Sequence, residues 1–318
     1  MADLQPRRLL SCGGGWHPRR GVAAPTSHRR QRHRSPPQSL HMSRSAADLS
    51  PRLETALAAV AEASKSTLQR FCDPSLAVDL KADQSPVTEA DRAAEAILRE
   101  RLLSAFPHDS FLGEESGSAA GTSGYEWIVD PIDGTKSFIR GVPLYATLVG
   151  CRLEGRGVLG VIAIPALGEL VYATQGGGAW HLPPGHTPGQ PPSPARVSRR
   201  SLADALWCTS ATTAFAERGS DAARERLDAA CRLARTWGDG YGYLLVATGR
   251  AEIMIDPVMN AWDAAAVEPV IREAGGRFTD WQGRERIDSG DGLATNGLLH
   301  DEVRQLVAAD PDSGPQNG

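Results

Sequence analysis

The sequence predicts an α+β fold: a layered αβαβα sandwich whose sheets are mixed and largely antiparallel. Two observations carry this. Five β-like runs, YEWIVD, YATLVGCRL, GVLGVIAIP, ELVYAT and GAWHL, succeed one another between residues 125 and 182 across segments containing Gly or Pro. That is the pattern of a meandering sheet, not of strands alternating with crossover helices. Beyond a Pro/Gly-rich stretch, LPPGHTPGQPPSPA, helical and strand patterns mix again. Two α/β halves therefore stack as one sandwich, with their junction near residues 183–196.

The N-terminal 48 residues stand apart. They show neither helical nor strand periodicity, and residues 1–44 hold nine of the 34 Lys+Arg but one of the 38 Asp+Glu. They read as a disordered basic extension. Three accounts remain open: an Arg/Ser-rich, acid-poor transit peptide to a plastid or similar organelle, a basic tail, or upstream sequence ahead of a start at Met42. The ordered domain is expected over residues 49–310, followed by a disordered tail at 311–318.

With the extension set aside, 25 basic residues face 37 acidic ones, so the body carries −12. This argues against nucleic-acid binding by the body and favours metal cations or cationic ligands. No stretch reaches the roughly 18 apolar residues of a membrane span, and the apolar core of a secretory signal is missing. Five cysteines, odd in number and without a C-x-x-C pair, argue against a zinc cluster or a disulfide framework. The cytoplasm fits best.

The ordered elements follow in turn. Leu53, Leu57, Val60, Leu68 and Phe71 recur at helical spacing. SPVTEADRAAEAILRERLLSAF is a second helix, with Thr88 as N-cap, Asp91 in the capping-box position, and Ile97, Leu98 and Leu102 buried. SFLGEES is a short strand ending in acids, and the five runs named above come next. The second half predicts a strand at ALWCTS, a helix over 221–234, a helix near YGYLLVATG, a strand at AEIMID, one helix over AWDAAAVEPVIREAG, a strand at GLATN and a last helix from about 300. No internal repeat is visible.

The chemistry concentrates in WIVDPIDGTKSF, residues 127–138. Asp130 ends an apolar strand, Pro131 turns the chain, the Ile132 carbonyl offers a neutral oxygen, and Asp133 adds a second carboxylate. Hard dications take oxygen ligands, and a pair of them can clamp both oxygens of a phosphoryl transfer. Without a cation, neighbouring carboxylates raise each other's pKa. Gly134 and Thr135 open a helical turn whose backbone N–H groups suit an anion such as phosphate. The competing reading is a plain polar turn. Glu114 in GEES, Asp91 in TEADR and Asp263 in NAWDAAA supply further acids. Each has a bland alternative: a solvated strand end, a capping-box acid and a first-turn acid at a helix dipole.

GEES, WIVDPIDGTKSF and AWDAAA together resemble, in order and spacing, the three signature regions of the inositol monophosphatase superfamily over roughly residues 50–305. That resemblance implies two or three Mg²⁺ ions: Glu114, Asp130 and the Ile132 carbonyl on one, Asp130, Asp133 and Asp263 on a second, and a weaker third near Glu114. It also implies that Thr135 and Asp91 orient and deprotonate the attacking water, and that the protein is a homodimer acting on a small phosphate ester. DGTKSF in place of D-G-T-x-N, together with WGDGYGYLLVATG, is most similar to the histidinol-phosphate phosphatase branch. Inositol 1-phosphate and nucleotide 3′-phosphates are the alternative substrates, and a metal-dependent binding protein without turnover is the alternative of another class. Asp239 and Asp256 match positions that face the alcohol part of the substrate, where their charge suits an ammonium group. Lys136 is either a substrate contact or a surface lysine.

Overall fold

The computed structural model describes residues 49–308 except 83, 84 and 188. The basic extension at 1–48 and the tail at 311–318 lie outside the described residues. In chain order the elements are helix α1 (Ser50–Arg70), the hairpin β1 (Val78–Leu80) and β2 (Pro86–Thr88), helix α2 (Glu89–Ala105), and strands β3 (Ser110–Gly113), β4 (Gly117–Ala119) and β5 (Tyr125–Asp133). The short helix α3 (Thr135–Ile139) leads to β6 (Ala146–Leu153), β7 (Arg156–Ile164), β8 (Glu169–Thr174), β9 (Gly178–Leu182) and β10 (Ser193–Pro194). Then come β11 (Leu206–Cys208), α4 (Thr213–Glu217), α5 (Asp221–Ala230), β12 (Leu233–Arg235), α6 (Gly240–Ala247) and β13 (Ile253–Asp256). The chain closes with α7 (Ala261–Ala264), α8 (Val267–Glu273), β14 (Arg277–Thr279), β15 (Gly292–Thr295) and α9 (His300–Ala308).

Eight strands in the order β10-β9-β8-β7-β6-β5-β3-β4 make one sheet, and five in the order β12-β11-β13-β15-β14 make another. The larger is antiparallel except where β3 runs parallel to β5; in the smaller, β12, β11 and β13 are mutually parallel. Side chains alternate across a strand, and β5 shows what that does here. Trp127 and Val129 pack under α1 and α2, whereas Ile128 points the other way, into a core shared with α6 and α8. That middle core also holds Met254 and Ala294 from the second sheet. The opposite face of the second sheet, with Trp207, Ile253 and Leu293, packs against Phe215, Leu227 and Val303 of α4, α5 and α9. The layers thus run α, β, α, β, α, as the sequence predicts.

Several details differ from expectation. The buried stripe of α1 is Ala56, Ala59, Val60, Ala63 and Thr67, small residues that admit a close neighbour, while Leu68 stays outside. The helix expected over 221–234 ends at Ala230, because Leu233–Arg235 pair with Leu206–Cys208 as an edge strand. The helix expected over AWDAAAVEPVIREAG is two. Dihedrals remain helical at Ala265 and Ala266, but Pro269 has no N–H to give the Ala265 carbonyl, so the hydrogen-bond ladder breaks. The carbonyl side of this junction lies on β6 and β7 where Gly150 and Gly160 stand. A Cβ on Gly160 would collide with the Ala266 carbonyl oxygen.

His300, buried at the start of α9, gives this fold an acid limit. Thr279 donates its hydroxyl to the Asp280 carbonyl (2.6 Å) and therefore accepts from His300 Nε2 (2.9 Å); Thr295 then donates to Nδ1 (3.1 Å). Both contacts suit the neutral ring. Burial, then Arg277 and Arg304, push its pKa down to about 4. The unfolded chain therefore binds the proton first, and stability falls as pH drops from about 6.5 toward 4, by up to roughly 3 kcal/mol. Urea unfolding across this range should show a shallower loss in His300→Gln than in the parent. Parallel pH curves would contradict the assignment.

Candidate active site

The β5–α3 connection sets the centre of the site. Asp130 is buried in the last part of β5, and its Oδ1 accepts the Ile132 N–H at 3.0 Å; the expected turn at Pro131 is instead an irregularity within the strand, which runs on to Asp133. The strand register slips between Asp130 and Asp133, where it pairs with β6. Thr147 holds this irregular stretch by donating to the Pro131 carbonyl at 2.9 Å. Gly134 sits at φ +84°, a left-handed conformation that glycine adopts without the penalty a Cβ would bring.

Asp263 arrives from α7. It caps that helix, Oδ2 accepting the Asn260 N–H at 2.7 Å, and it stands next to Asp130. Ligand oxygens of Asp130, Asp133 and Asp263 lie within 4.8 Å of one another. Burial first, then neighbouring carboxylates, push Asp130 and Asp133 well above the usual carboxylate range, and burial lifts Asp263 to about 7. Three crowded acids with one backbone N–H donor each, from Ile132, Gly240 and Asn260, form a donor set made for a hard dication, which would relieve both the repulsion and the desolvation. The residues present therefore fit a magnesium centre.

Glu114 follows β3 and adds its charge to the same field, raising Asp130, Asp91 and Asp263. It is not one of the close trio: its Oε1 takes Lys81 Nζ at 2.7 Å, and Glu115 takes the same ammonium at 2.8 Å. Asp91 and Thr135 do meet. Thr135 Oγ1 lies 3.2 Å from Asp91 Oδ1 and 3.1 Å from the Ile132 carbonyl, and the other Asp91 oxygen accepts the N–H and hydroxyl of Thr88. One hydroxyl proton serves two acceptors, so Thr135 can rotate to donate to either, and of the two only the Asp91 carboxylate can accept the proton outright.

Asp239 also joins the site. Its Oδ2 occupies the space that a Gly134 Cβ would fill, and the next residue, Gly240, donates its N–H to Asp133 Oδ2 at 2.5 Å. Asp256 is buried beside them and adds its charge to the field that raises Asp133 and Asp263. It accepts Ser210 N–H at 2.8 Å, the Thr209 hydroxyl at 3.3 Å and the Tyr243 hydroxyl at 2.9 Å, and burial raises its pKa to about 6. Those bonds tie β13 to α6 and the end of β11. Asp256→Asn leaves a single carbonyl oxygen to accept bonds from both sides, so it is expected to cost about 1–3 kcal/mol of stability. A thermal midpoint unchanged from the parent would count against this. Lys136 is exposed.

Two participants escaped sequence reasoning. Lys81 comes from the β1–β2 hairpin, and the signal was compositional: only Lys65, Lys81 and Lys136 are lysines among 34 basic residues, and two of the three fall at or beside the site. Glu95 is buried one helical turn after Asp91 and accepts Glu115 N–H at 2.7 Å and Ser116 N–H at 2.6 Å, shaping the acidic turn after β3. Its signal was a like-charge pair at i, i+4 on an otherwise apolar helix face, unfavourable unless something tertiary uses it.

A five-layer α+β sandwich with a carboxylate cluster at a strand end, backed by a Thr–Asp pair, is the architecture of a metal-dependent phosphatase. The chain belongs to the inositol monophosphatase family, whose pattern it matches over residues 48–311. It is 41% identical over 263 residues to a histidinol-phosphatase of Chlorobaculum parvum, spanning 82% of this chain and 97% of that protein. It is also 41% identical over 258 residues to a histidinol-phosphatase of Mycobacterium tuberculosis, spanning 79% and 95%. Among solved structures, the extragenic suppressor protein suhB of Bartonella henselae superposes with a TM-score of 0.74 at 29% identity, covering 82% of this chain and 99% of that one.

Proposed function

We propose that this protein hydrolyses L-histidinol phosphate to L-histidinol and inorganic phosphate, using Mg²⁺. The observation that carries the chemistry is the trio Asp130, Asp133 and Asp263 beside the Asp91–Thr135 pair; the 41% relatives named above support the substrate. Asp130, Asp133 and Asp263, with the Ile132 carbonyl and Glu114, would hold two or three ions. Bound Mg²⁺ supplies Lewis-acid polarisation of the phosphoryl group and acidifies water. The chain supplies the rest. Thr135 accepts a proton from the attacking water while its own hydroxyl proton moves to Asp91 Oδ1. As the water oxygen bonds to phosphorus, the ester P–O bond breaks, and the departing oxygen takes a proton from solvent water to become the alcohol while Asp91 returns its proton to solvent. Backbone N–H groups of Gly134 and Thr135, at the start of a helical turn, steady the phosphate, and Lys136 is near enough in sequence to reach the ester's outer edge.

Asp239 gives the substrate reading its physical basis. Its carboxylate lies against Gly134, beside the proposed phosphate position, where it can accept from the ammonium of histidinol phosphate. Inositol phosphate offers hydroxyls alone. Initial rates of phosphate release with L-histidinol phosphate, inositol 1-phosphate and 3′-phosphoadenosine 5′-phosphate test the proposal. Histidinol phosphate should lead in kcat/KM, and Asp239→Asn should raise KM for it alone by about tenfold or more, the scale of 1.5–3 kcal/mol for a hydrogen bond to a charged group. Faster hydrolysis of inositol 1-phosphate would overturn the substrate assignment, and no phosphate release with any ester would leave a metal-dependent binding protein. We assign the enzyme to the cytoplasm as a homodimer. No helix among the described residues is long and apolar enough to cross a membrane, and sedimentation of the purified chain reads the oligomeric state.

A further inference from the structure

Away from the acidic cluster, a cleft of about 410 Å³ opens between the β6–β7 turn, α8 and the segment 285–287, and its walls hold Arg152, Arg156, Arg272, Arg286, Glu268 and Glu285. Three of the guanidiniums are tethered. Arg152 donates Nε to the Gly155 carbonyl at 2.9 Å, Arg272 donates to the Gly157 carbonyl at 2.9 Å and pairs with Glu268 Oε1, and Arg286 grips Asp288 through two bonds of 2.9 and 3.0 Å. Arg156 is exposed and makes no hydrogen bond or ion pair among the described residues.

Glu268 is the anomaly. Its Oε2 is buried and has no hydrogen-bond partner among the described residues. It lies in the notch left by Gly157, in the space a Cβ there would take. A buried carboxylate oxygen without a donor is costly and calls for an explanation. A dianion such as phosphate suits the four arginines but is repelled by the two glutamates. A simple cation suits the glutamates but is repelled by the arginines. A small molecule carrying both signs satisfies both, with an ammonium on Glu268 Oε2 and a carboxylate across the free fork of Arg156.

We propose that this cleft is a second ligand site, separate from the catalytic one, that binds a free α-amino acid as its zwitterion. The site stands on its own wall chemistry and does not depend on which phosphate ester the enzyme hydrolyses.

The test is calorimetric titration of the full-length, Mg²⁺-loaded protein with each of the twenty L-amino acids, followed by the amine and the carboxylic acid that each lack one charge of the best binder. At least one amino acid should bind saturably, with both analogues weaker by about tenfold or more, the equivalent of 1.4 kcal/mol. Glu268→Gln and Arg156→Ala should each weaken it to the same degree, and Asp130→Asn should leave it unchanged. Arg156 is exposed, so its substitution keeps the test sound if Glu268→Gln proves unstable. The proposal fails if no amino acid saturates, if inorganic phosphate binds as well as the best of them, if binding survives both wall substitutions, or if Asp130→Asn removes it.

Discussion

Asp130→Asn is expected to lower kcat/KM by about three orders of magnitude or more, because it takes a charge from the centre of the acidic trio and with it the several kcal/mol of transition-state stabilisation that a bound dication provides. The fold should persist. Asp130 Oδ1 accepts a backbone N–H from Ile132, and an asparagine carbonyl can do the same. The neutral amide also removes one carboxylate from a cluster in which burial and like charges push the pKa values upward. In chelator, the variant should therefore melt no lower than the parent. Added Mg²⁺ should then stabilise the parent by about 2.7 kcal/mol at a hundredfold excess over Kd and raise its melting temperature, and that rise should shrink sharply in the variant. Near-normal turnover by a folded Asp130→Asn protein would remove the basis for the metal centre.

Asp91→Asn separates the second half of the machinery from the first. The amide oxygen can replace Oδ2 as acceptor for the Thr88 N–H, which turns the NH₂ toward Thr135. The polarity of that contact reverses: Thr135 now accepts from the introduced amide, donates to the Ile132 carbonyl, and has no base to receive a proton from water. A loss of about 10²–10⁴-fold in kcat is expected, the usual range for removing a general base. The Mg²⁺-induced rise in melting temperature should be retained, since Asp91 lies outside the close trio. If Asp91→Asn abolishes that rise as completely as Asp130→Asn does, Asp91 is a metal ligand and the proton relay is wrong.

The bland readings of these acids turn out not to compete with the functional ones, and the reason is stereochemical. A carboxylate has two oxygens. Asp91 spends Oδ2 on the capping box with Thr88 and aims Oδ1 at Thr135. Asp263 spends Oδ2 on the Asn260 cap and also meets Asp130. The local half of each arrangement is legible in TEADR and NAWDAAA because a cap needs partners only three residues apart. The other half needs residues more than forty positions away, and no periodicity reports that.

The same division runs through the molecule. Alternation in β5, the Thr88 cap and the Asn260 cap follow from interactions within a few residues, so the sequence alone determined them, along with the layered class of the fold. Where an outcome hinged on which distant surface a segment met, only the tertiary structure decided. Leu233–Arg235 left a helical pattern for a strand because Leu206–Cys208 offered an edge. Lys81 reached Glu114 from a hairpin 33 residues earlier in the chain. Asp256, which reads as a substrate acid, is buried and held by donors from Ser210 and Tyr243, partners no local pattern announces. Local propensities are worth tenths of a kcal/mol per residue, whereas a buried charge must find its partners or cost several, so packing has the final say wherever a charged group is enclosed.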